Sequence, residues 1–556
     1  MPEEQPPADP DRPGSDWGWS DSEEAEDTAV RPAVPREAAP AASTAVPTPP
    51  AASTSPAAPR HALPRNEDFR RTVGFTVLGT VVPGVGLIAA GRRVVGSVVL
   101  ALFVLTLVAL GLAALVDRDA LVSIGVDPAM LRRLSIALVV VAALWVVVVV
   151  ATHLSLRHRP TRSQRIVGGL LVGVLAFAVA APMAVAARTA YVSAGLVGTL
   201  FHSSKDSNSA TRPTLQPTHA GDKERQADPW ADKARLNILL LGGDAGKGRV
   251  GTRTDTVILA SIDTKTGDTT LFSLPRNTAR MPFPSDSPLK RYYPNGFTNG
   301  DPNNAEFFLN AMYRDVPVNT PKDVLGKTDN LGADVMKLSV GQALGLQVDY
   351  YALINLQGFS KMVDALGGVR LNVNTYIPIG GNTDLHIPPK EFIKPGPNQK
   401  MDGRSALWYA RGRYGSDDFA RMDRQRCVIN AMIKQANPTN VLTRYEDVAN
   451  ASKSLVKTDL PQEVLPAMVD LSLRVKDGNV RSVVFKNGVS GFISANPDFS
   501  QMRSRVKKAI GEAKDDKTPK KTTSSGDSGK APTSEDVDSS CKYDPKVAAT
   551  AKPYTG

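Results

Sequence analysis

The stretch "YARGRYGSDDFARMDRQR" (409–426) packs five arginines and three aspartates into eighteen residues. On a helix, Asp418, Arg421 and Gln425 stand at i, i+3 and i+7 and share one face. Met422, Ile429, Met432 and Ile433 mark a separate apolar stripe. Arg411 and Arg413 flank Gly412 just upstream, and on an extended segment they point the same way. Taken alone, this pattern allows a solvated helix with ion pairs, a nucleic-acid surface or a phosphate site.

Two other places carry the same chemistry. "GTRTDTVI" (251–258) sets Arg253 and Asp255 at the mouth of an apolar strand, and "SLPRNT" (273–278) sets Arg276 just past the end of another. The turn "TKTGD" lies between those strands, so a hairpin would bring Arg253, Asp255 and Arg276 to one edge. Asp244 follows "LLLGG" at the end of a neighbouring strand. Arginine suits phosphate because its planar fork stays charged and makes paired contacts. Aspartates among arginines suit Mg²⁺, which takes carboxylate together with phosphate oxygens. Together these are the parts of a pyrophosphate site beyond the carboxyl ends of strands in an open α/β sheet. "GGDAGKGRVGT" (242–252) lacks the Ser or Thr directly after its lysine that a nucleotide-binding P-loop needs.

These positions need a scaffold. "LNILLLGG" (236–243), "DTVILASID" (255–263), "TTLFSLP" (269–275), "YYALINL" (350–356) and "VRLNVN" (369–374) read as strands. Residues 304–315, 332–345, 358–368, 402–410 and 417–435 read as helices, the last two opening on capping aspartates. The alternation predicts a mixed α/β domain over 235–475, a central sheet flanked by helices. Residues 476–512 then form a C-terminal extension and 513–556 a disordered polar tail around Cys541.

Upstream, residues 70–200 hold apolar runs at Val73–Ala90, Val94–Val116, Leu134–Ala151 and Ile166–Ala187, each long enough to cross a bilayer. Residues 1–69 form an acidic Pro- and Ala-rich tail without the aliphatic runs of a core, and 201–234 read as a linker. The basic loop "SLRHRPTRSQR" (155–165) belongs on the cytoplasmic side, which places everything after the last run outside the cell. Gly79, Pro83, Gly84 and Gly86 weaken the first run as a straight helix. Three or four crossings, and the side of the N-terminal tail, stay open. The net charge of +11 permits nucleic-acid binding, but the interleaved aspartates would repel a polyanion and the membrane runs place the domain elsewhere. The two cysteines, Cys427 and Cys541, have no zinc spacing and allow one disulfide in an oxidising compartment.

Three segments, "TRTDTVILASID…LFSLPRNT", "YYALINLQGFSKMVDALGGVRLNVN" and "MDGRSALWYARGRYGSDDFARMDRQR", occur in this order and resemble the LytR–CpsA–Psr family over about 235–440. The resemblance implies a phosphotransferase that moves a glycopolymer from a polyprenyl-pyrophosphate carrier to peptidoglycan as a phosphodiester, beside an apolar tunnel for the prenyl chain. It implies Mg²⁺ (or Mn²⁺) near Asp244 and Asp255. Arg253, Arg276, Arg411, Arg413 and Arg421 are then the pyrophosphate ligands, with Asp418 and Gln425 positioning them, and Asp255, Arg276, Arg411 and Arg413 acting in catalysis. The resemblance also allows hydrolysis of the polyprenyl pyrophosphate as a side activity. One departure stands out: the family's usual aspartate after "PR" is Asn277 here. The resemblance also implies a Cys427–Cys541 bridge. The expected partners are the lipid-linked glycopolymer, peptidoglycan and the membrane, with no nucleic acid. The competing readings are a membrane-associated transcriptional attenuator and a non-catalytic wall-binding protein.

Overall fold

The structure, a computed structural model, describes residues 65–116, 125, 127–157, 160–213, 230, 233–244, 251–381, 386–435, 456–515 and 534–554. The acidic tail expected over 1–69 lies outside these residues up to 64. From Arg65 the chain is helical.

The first apolar run does not form one helix. α1 (Arg65–Val81) and α2 (Val85–Ala89) are separated at Pro83 and Gly84. Gly84 takes φ 100°, a left-handed conformation that favours glycine, and a side chain there would meet the Gly96 carbonyl of the next helix. α3 (Arg93–Val116), α4 (Pro128–Leu156) and α5 (Arg162–Leu200) follow. Asp127 caps α4 by accepting from the Ala129 and Met130 amides, and Thr161 with Gln164 forms a capping box on α5. Among the described residues these three helices are long and apolar enough to cross a membrane. α5 runs for 39 residues, roughly 58 Å at ~1.5 Å per residue, against a hydrocarbon core of ~30 Å. Its surplus length delivers the chain to the next domain, where Val197 and Phe201 pack with Trp230, Leu236 and Tyr350.

That domain is built on seven strands in the order β11-β10-β3-β2-β1-β4-β9. They are β1 (Arg235–Asp244), β2 (Arg253–Asp263), β3 (Thr269–Leu274), β4 (Tyr350–Asn355), β9 (Val456–Thr458), β10 (Val480–Val484) and β11 (Glu535–Asp536). β2 and β3 form the hairpin expected from the "TKTGD" turn, with Val257 opposite Leu274. β1 pairs antiparallel with β2 and parallel with β4, so the sheet is mixed. Both faces are covered, which is why the strands read as apolar runs. On one face Leu239, Leu241, Leu259 and Phe272 pack against α6 (Leu309–Asn319), α7 (Leu331–Leu344) and α12 (Phe499–Asp515). On the other, Ile258, Ala260, Leu271 and Val480 meet Ile429 of α10 (Asp418–Gln435) and Val537. α8 (Leu356–Ala365), α9 (Gly403–Arg411) and two small hairpin sheets, β5 (Val369–Val373) with β8 (Gly396–Met401) and β6 (Ile377–Ile379) with β7 (Glu391–Ile393), complete that side; α11 (Leu465–Asp477) packs near β1 and the end of α5.

Three expected boundaries move. β10 lies inside the sheet, parallel to β3, so 476–512 is part of the domain rather than an extension. Residues 534–554 are ordered, with β11 on β10, then α13 (Val537–Ser540) and α14 (Pro545–Thr550). The first part of the expected linker is docked. Asp334, 1% exposed, accepts from Ser209 Oγ at 2.6 Å and the Ala210 amide at 2.9 Å, and Arg212 donates to the Asp459 carbonyl at 3.2 Å. Short polar side chains that look like linker composition serve here as donors to buried carboxylates. Residues 214–229 lie outside the described residues.

Candidate functional site: an arginine–aspartate cluster at the sheet edge

The β2–β3 register carries Asp255 and Arg276 to the same edge of the sheet. Gly242 pairs with Thr256 and Gly243 with Thr254, so Asp255 is the extra residue of a β-bulge. A bulge re-aims the side chain it contains. Arg276 Nη1 donates to Asp255 Oδ1 at 2.8 Å, and Asn310 Nδ2 donates to the same oxygen at 3.3 Å. Asn310 sits in the first turn of α6, tied through its own amide to the Arg276 carbonyl at 3.0 Å. The sequence reading missed Asn310, because its segment carries the pattern of a core helix and asparagine there has no distinguishing signal.

The second wall comes from α9, a short turn and α10. Asp402 caps α9 at the Ser405 amide, and Asp417 caps α10 by accepting from the Ala420 amide at 2.7 Å. With the cap provided by Asp417, Asp418 is left to face the arginines. Its Oδ1 lies 3.0 Å from Arg421 Nη2, 3.5 Å from Arg276 Nε and 3.8 Å from Arg413 Nη1. Arg421 Nη2 also donates to the Asp255 carbonyl at 3.1 Å, linking helix to strand. One carboxylate thus lies against three guanidiniums from three places, the end of β3, the α9–α10 turn and α10. Exposure grades outward: the side chains of Arg421, Arg276 and Arg413 are 6%, 26% and 43% exposed. Arg421 Nε is buried with no hydrogen-bond partner among the described residues.

Burial pulls the Arg421 guanidinium down to about 10 against the opposing pull of Asp418; it stays protonated at neutral pH. For Asp255, burial works to raise the pKa, but the charge and hydrogen bond of Arg276, then the charge of Arg421 and the Asn310 amide, more than reverse it. The carboxyl lies below its ordinary range.

The other expected ligands are placed differently. Arg253 pairs with Glu306, in a 3-10 turn before α6, and Glu306 also pairs with Arg314. Arg411 is exposed, its guanidinium 4.9 Å from the centre of the Trp408 ring. Gln425, expected on the face of Asp418 and Arg421, donates to the Ala410 carbonyl at 3.3 Å instead. Arg424 joins it, donating to the Tyr409 carbonyl at 2.7 Å and to the Gly412 carbonyl. These two side chains satisfy the carbonyls at the end of α9 and fix the turn. Arg426 points away, 3% exposed, to Ser482, Asp423 and Glu535. The arginine-rich stretch therefore divides by helix face into site and scaffold. Asn277 donates to Ser494 Oγ at 3.4 Å. Cys427 and Cys541 are joined in a disulfide, Cα atoms 5.6 Å apart.

A divalent cation shared with a phosphate needs only one or two carboxylates. Among the described residues both hydrogen bonds to Asp255 fall on Oδ1, so Oδ2 is the oxygen that could face a divalent cation. Asp244 ends β1 opposite Arg253 in the register; its side chain lies outside the described residues. Among the described residues no group of three or more His, Cys, Asp or Glu gathers at one point. A cleft of about 780 Å³ between Arg212, Pro284, Lys337 and Gln347 shares no residue with the cluster.

The family model described as LytR_cpsA_psr matches residues 200–508. The chain is 27% identical over 315 residues to Biofilm regulatory protein A of Streptococcus mutans, covering 54% of this chain and 69% of that protein. It is 24% identical over 297 residues to the polyisoprenyl-teichoic acid–peptidoglycan teichoic acid transferase TagU of Oceanobacillus iheyensis, covering 51% and 79%. The crystal structure of B. subtilis TagV aligns with a TM-score of 0.35 at 22% identity, covering 50% of this chain and 97% of that one.

Proposed function

The chain belongs to the LytR–CpsA–Psr family, whose model spans residues 200–508, and we propose that it is a membrane-anchored phosphotransferase moving a glycopolymer from a polyprenyl-pyrophosphate carrier onto peptidoglycan outside the cell. The observation that carries this reading is the cluster in which Asp418 holds Arg276, Arg413 and Arg421 beside Asp255. Such a cluster suits a compact diphosphate better than an extended polyanion, because its positive charge converges on one point and is flanked by carboxylates. The relative named as a teichoic acid transferase supports the same class of reaction.

In this reading Arg276, Arg413 and Arg421 bind the diphosphate, with Arg253 and Arg411 at its rim. Asp418 and Asp255 fix the guanidiniums before substrate arrives, which lowers the reorganisation needed as charge develops. A peptidoglycan hydroxyl attacks the sugar-proximal phosphorus; the new P–O bond forms as the bond to the polyprenyl phosphate breaks, and the hydroxyl proton passes to the departing phosphate or to water. Asp255, held below the ordinary carboxylate range, is a weak base and contributes orientation and charge. Mg²⁺ or Mn²⁺ at Asp255 and Asp244 would neutralise charge on the phosphates. α3, α4 and α5 anchor the enzyme, and the docked segment 201–213 holds the domain to α5.

The test uses the full chain in nanodiscs with a polyprenyl-pyrophosphate-linked glycopolymer, peptidoglycan and Mg²⁺. Acceptor-dependent release of polyprenyl phosphate, lost in Arg276→Ala, is expected. Failure of the parent protein to bind the lipid pyrophosphate would sink the reading. An alkaline phosphatase fusion at residue 230 should be active, and an inactive fusion would overturn the extracytoplasmic placement.

A further inference from the structure

The C-terminal segment returns to the rim of the cluster. β11 pairs with β10, and Val537 is fully buried beneath α10 and the sheet. Asn430 Nδ2 donates to Asp538 Oδ1 at 2.7 Å, and Lys434 pairs with the other oxygen at 2.9 Å. The Cys427–Cys541 disulfide fastens the next residues to the same helix. Asn372 and Asn374 then donate to the Cys541 and Lys542 carbonyls, both at 3.0 Å, and the Asp544 amide donates back to Asn374 at 2.9 Å. After α14 the chain ends its described course at Tyr554, whose ring lies 5.6 Å from that of Tyr414, edge to face.

Tyr414 and Gly415 are the middle of the turn that carries Arg413, closed by the Ser416 amide on the Arg413 carbonyl at 2.8 Å. Gly415 takes φ 73°, and a Cβ built there would run into the Tyr554 ring. Glycine is therefore required twice, for its backbone and for the space the ring fills. Without a cover, a glycine turn bearing a half-exposed arginine must be ordered each time a ligand binds.

We propose that Tyr554 is a positioning residue. Delivered by the disulfide-anchored C-terminal strap, it presses on Tyr414 and Gly415 and holds Arg413 at its distance from Asp418. This rests on reading the cluster as a diphosphate site. Aromatic edge-to-face contact needs the ring and not the hydroxyl, so phenylalanine should serve equally well. Reduction of Cys427–Cys541 should loosen the same turn from a distance.

The experiment compares the full chain in detergent with Tyr554→Ala and Tyr554→Phe. Tyr554 is 53% exposed, so neither change should unfold the protein. Two readouts are taken: hydrogen exchange of the amides at 413–417 without ligand, and affinity for farnesyl pyrophosphate with Mg²⁺. Tyr554→Ala should exchange faster at 413–417 and bind the probe about three- to tenfold more weakly, the scale of ordering one long side chain; Tyr554→Phe should match the parent in both. Unchanged exchange in Tyr554→Ala overturns the strap. Faster exchange with unchanged affinity overturns the positioning of Arg413. A parent that does not bind the probe overturns the diphosphate reading itself, while faster exchange in Tyr554→Ala still supports the strap.

Discussion

Arg421 is where stability and function meet, and its replacement by alanine separates the reasoning from its alternatives. The side chain is one of the most buried charges among the described residues, 6% exposed, and its Nη2 reaches Asp418 Oδ2 and the Asp255 carbonyl, each at 3.1 Å. Alanine removes both hydrogen bonds and leaves Asp418 facing Arg276 and Arg413 alone. Losing one partner of a fully buried ion pair costs about 3–5 kcal/mol. Asp418 is 26% exposed, so water recovers part of this, and the charge-assisted hydrogen bond, about 1.5–3 kcal/mol, is the better scale. Applied to a bound diphosphate, the same range predicts a loss of affinity of about 10- to 150-fold. Arg421→Lys keeps the charge without the fork and should fall between. The assay is calorimetric titration of the full chain with farnesyl pyrophosphate and Mg²⁺, alongside thermal unfolding. Arg426→Ala is the control: as buried on the same helix, it is tied to Ser482, Asp423 and Glu535, and it should destabilise the fold while leaving the affinity of the folded protein intact. If Arg421→Ala binds like the parent, or Arg426→Ala loses affinity equally, the division of this helix into a site face and a scaffold face is wrong.

Glu306 occupies the Arg253 guanidinium, so Glu306→Gln should free it and tighten farnesyl pyrophosphate binding; a weaker complex by titration would show that Glu306 instead holds Arg253 in place for the ligand. Arg411 is exposed and held against Trp408, so Arg411→Ala should weaken binding less than Arg421→Ala, and an equal loss in the same titration would make Arg411 a direct ligand. The Asp255 pKa lies below its unfolded value, so its contribution to stability is present above the ordinary carboxylate pKa of about 3.9 and is lost as pH falls through the lowered value. The difference in melting temperature between the parent and Asp255→Asn should therefore shrink below about pH 4, and a difference constant from pH 2 to 6 would refute the assignment. Asp334→Ala leaves the Ala210 amide and the Thr211 hydroxyl without this acceptor, while Ser209 keeps Asp459; both groups are at most half-buried, so the loss is about 1 kcal/mol for each. Limited proteolysis should then cut at 203–213, and resistance equal to the parent would mean that this segment is held elsewhere.

Much of this was legible in the chain. Local composition decides whether a segment is apolar enough for a membrane or alternates enough for a sheet and its helices, so the long helices α3 to α5 and the β2–β3 hairpin follow from residues close in sequence. The turn "TKTGD" was sufficient to place Asp255 and Arg276 at one edge, because an antiparallel register follows from its turn. Tertiary structure decided the rest. The weak point of the first run at Pro83 and Gly84 was legible from its residues; what the fold added is the close approach of the Gly84 backbone to Gly96. Helical spacing put Gln425 beside Arg421, but an eighteen-residue helix has neighbours on several sides, and the unpaired carbonyls at the end of α9 claimed Gln425 and Arg424. Asn310, Glu306 and Tyr554 joined the cluster or its rim from far along the chain, where no local pattern marks them. Residues 476–512 and 534–554 looked peripheral because strands β10 and β11 are short and polar-flanked, and a strand's place in a sheet is set by its hydrogen-bonding partners rather than by its own sequence. The sequence alone determined which chemistry was available, arginine forks beside carboxylates; which of those arginines converge on Asp418 was decided by the fold, since convergence is a property of distances between elements that the chain order does not contain.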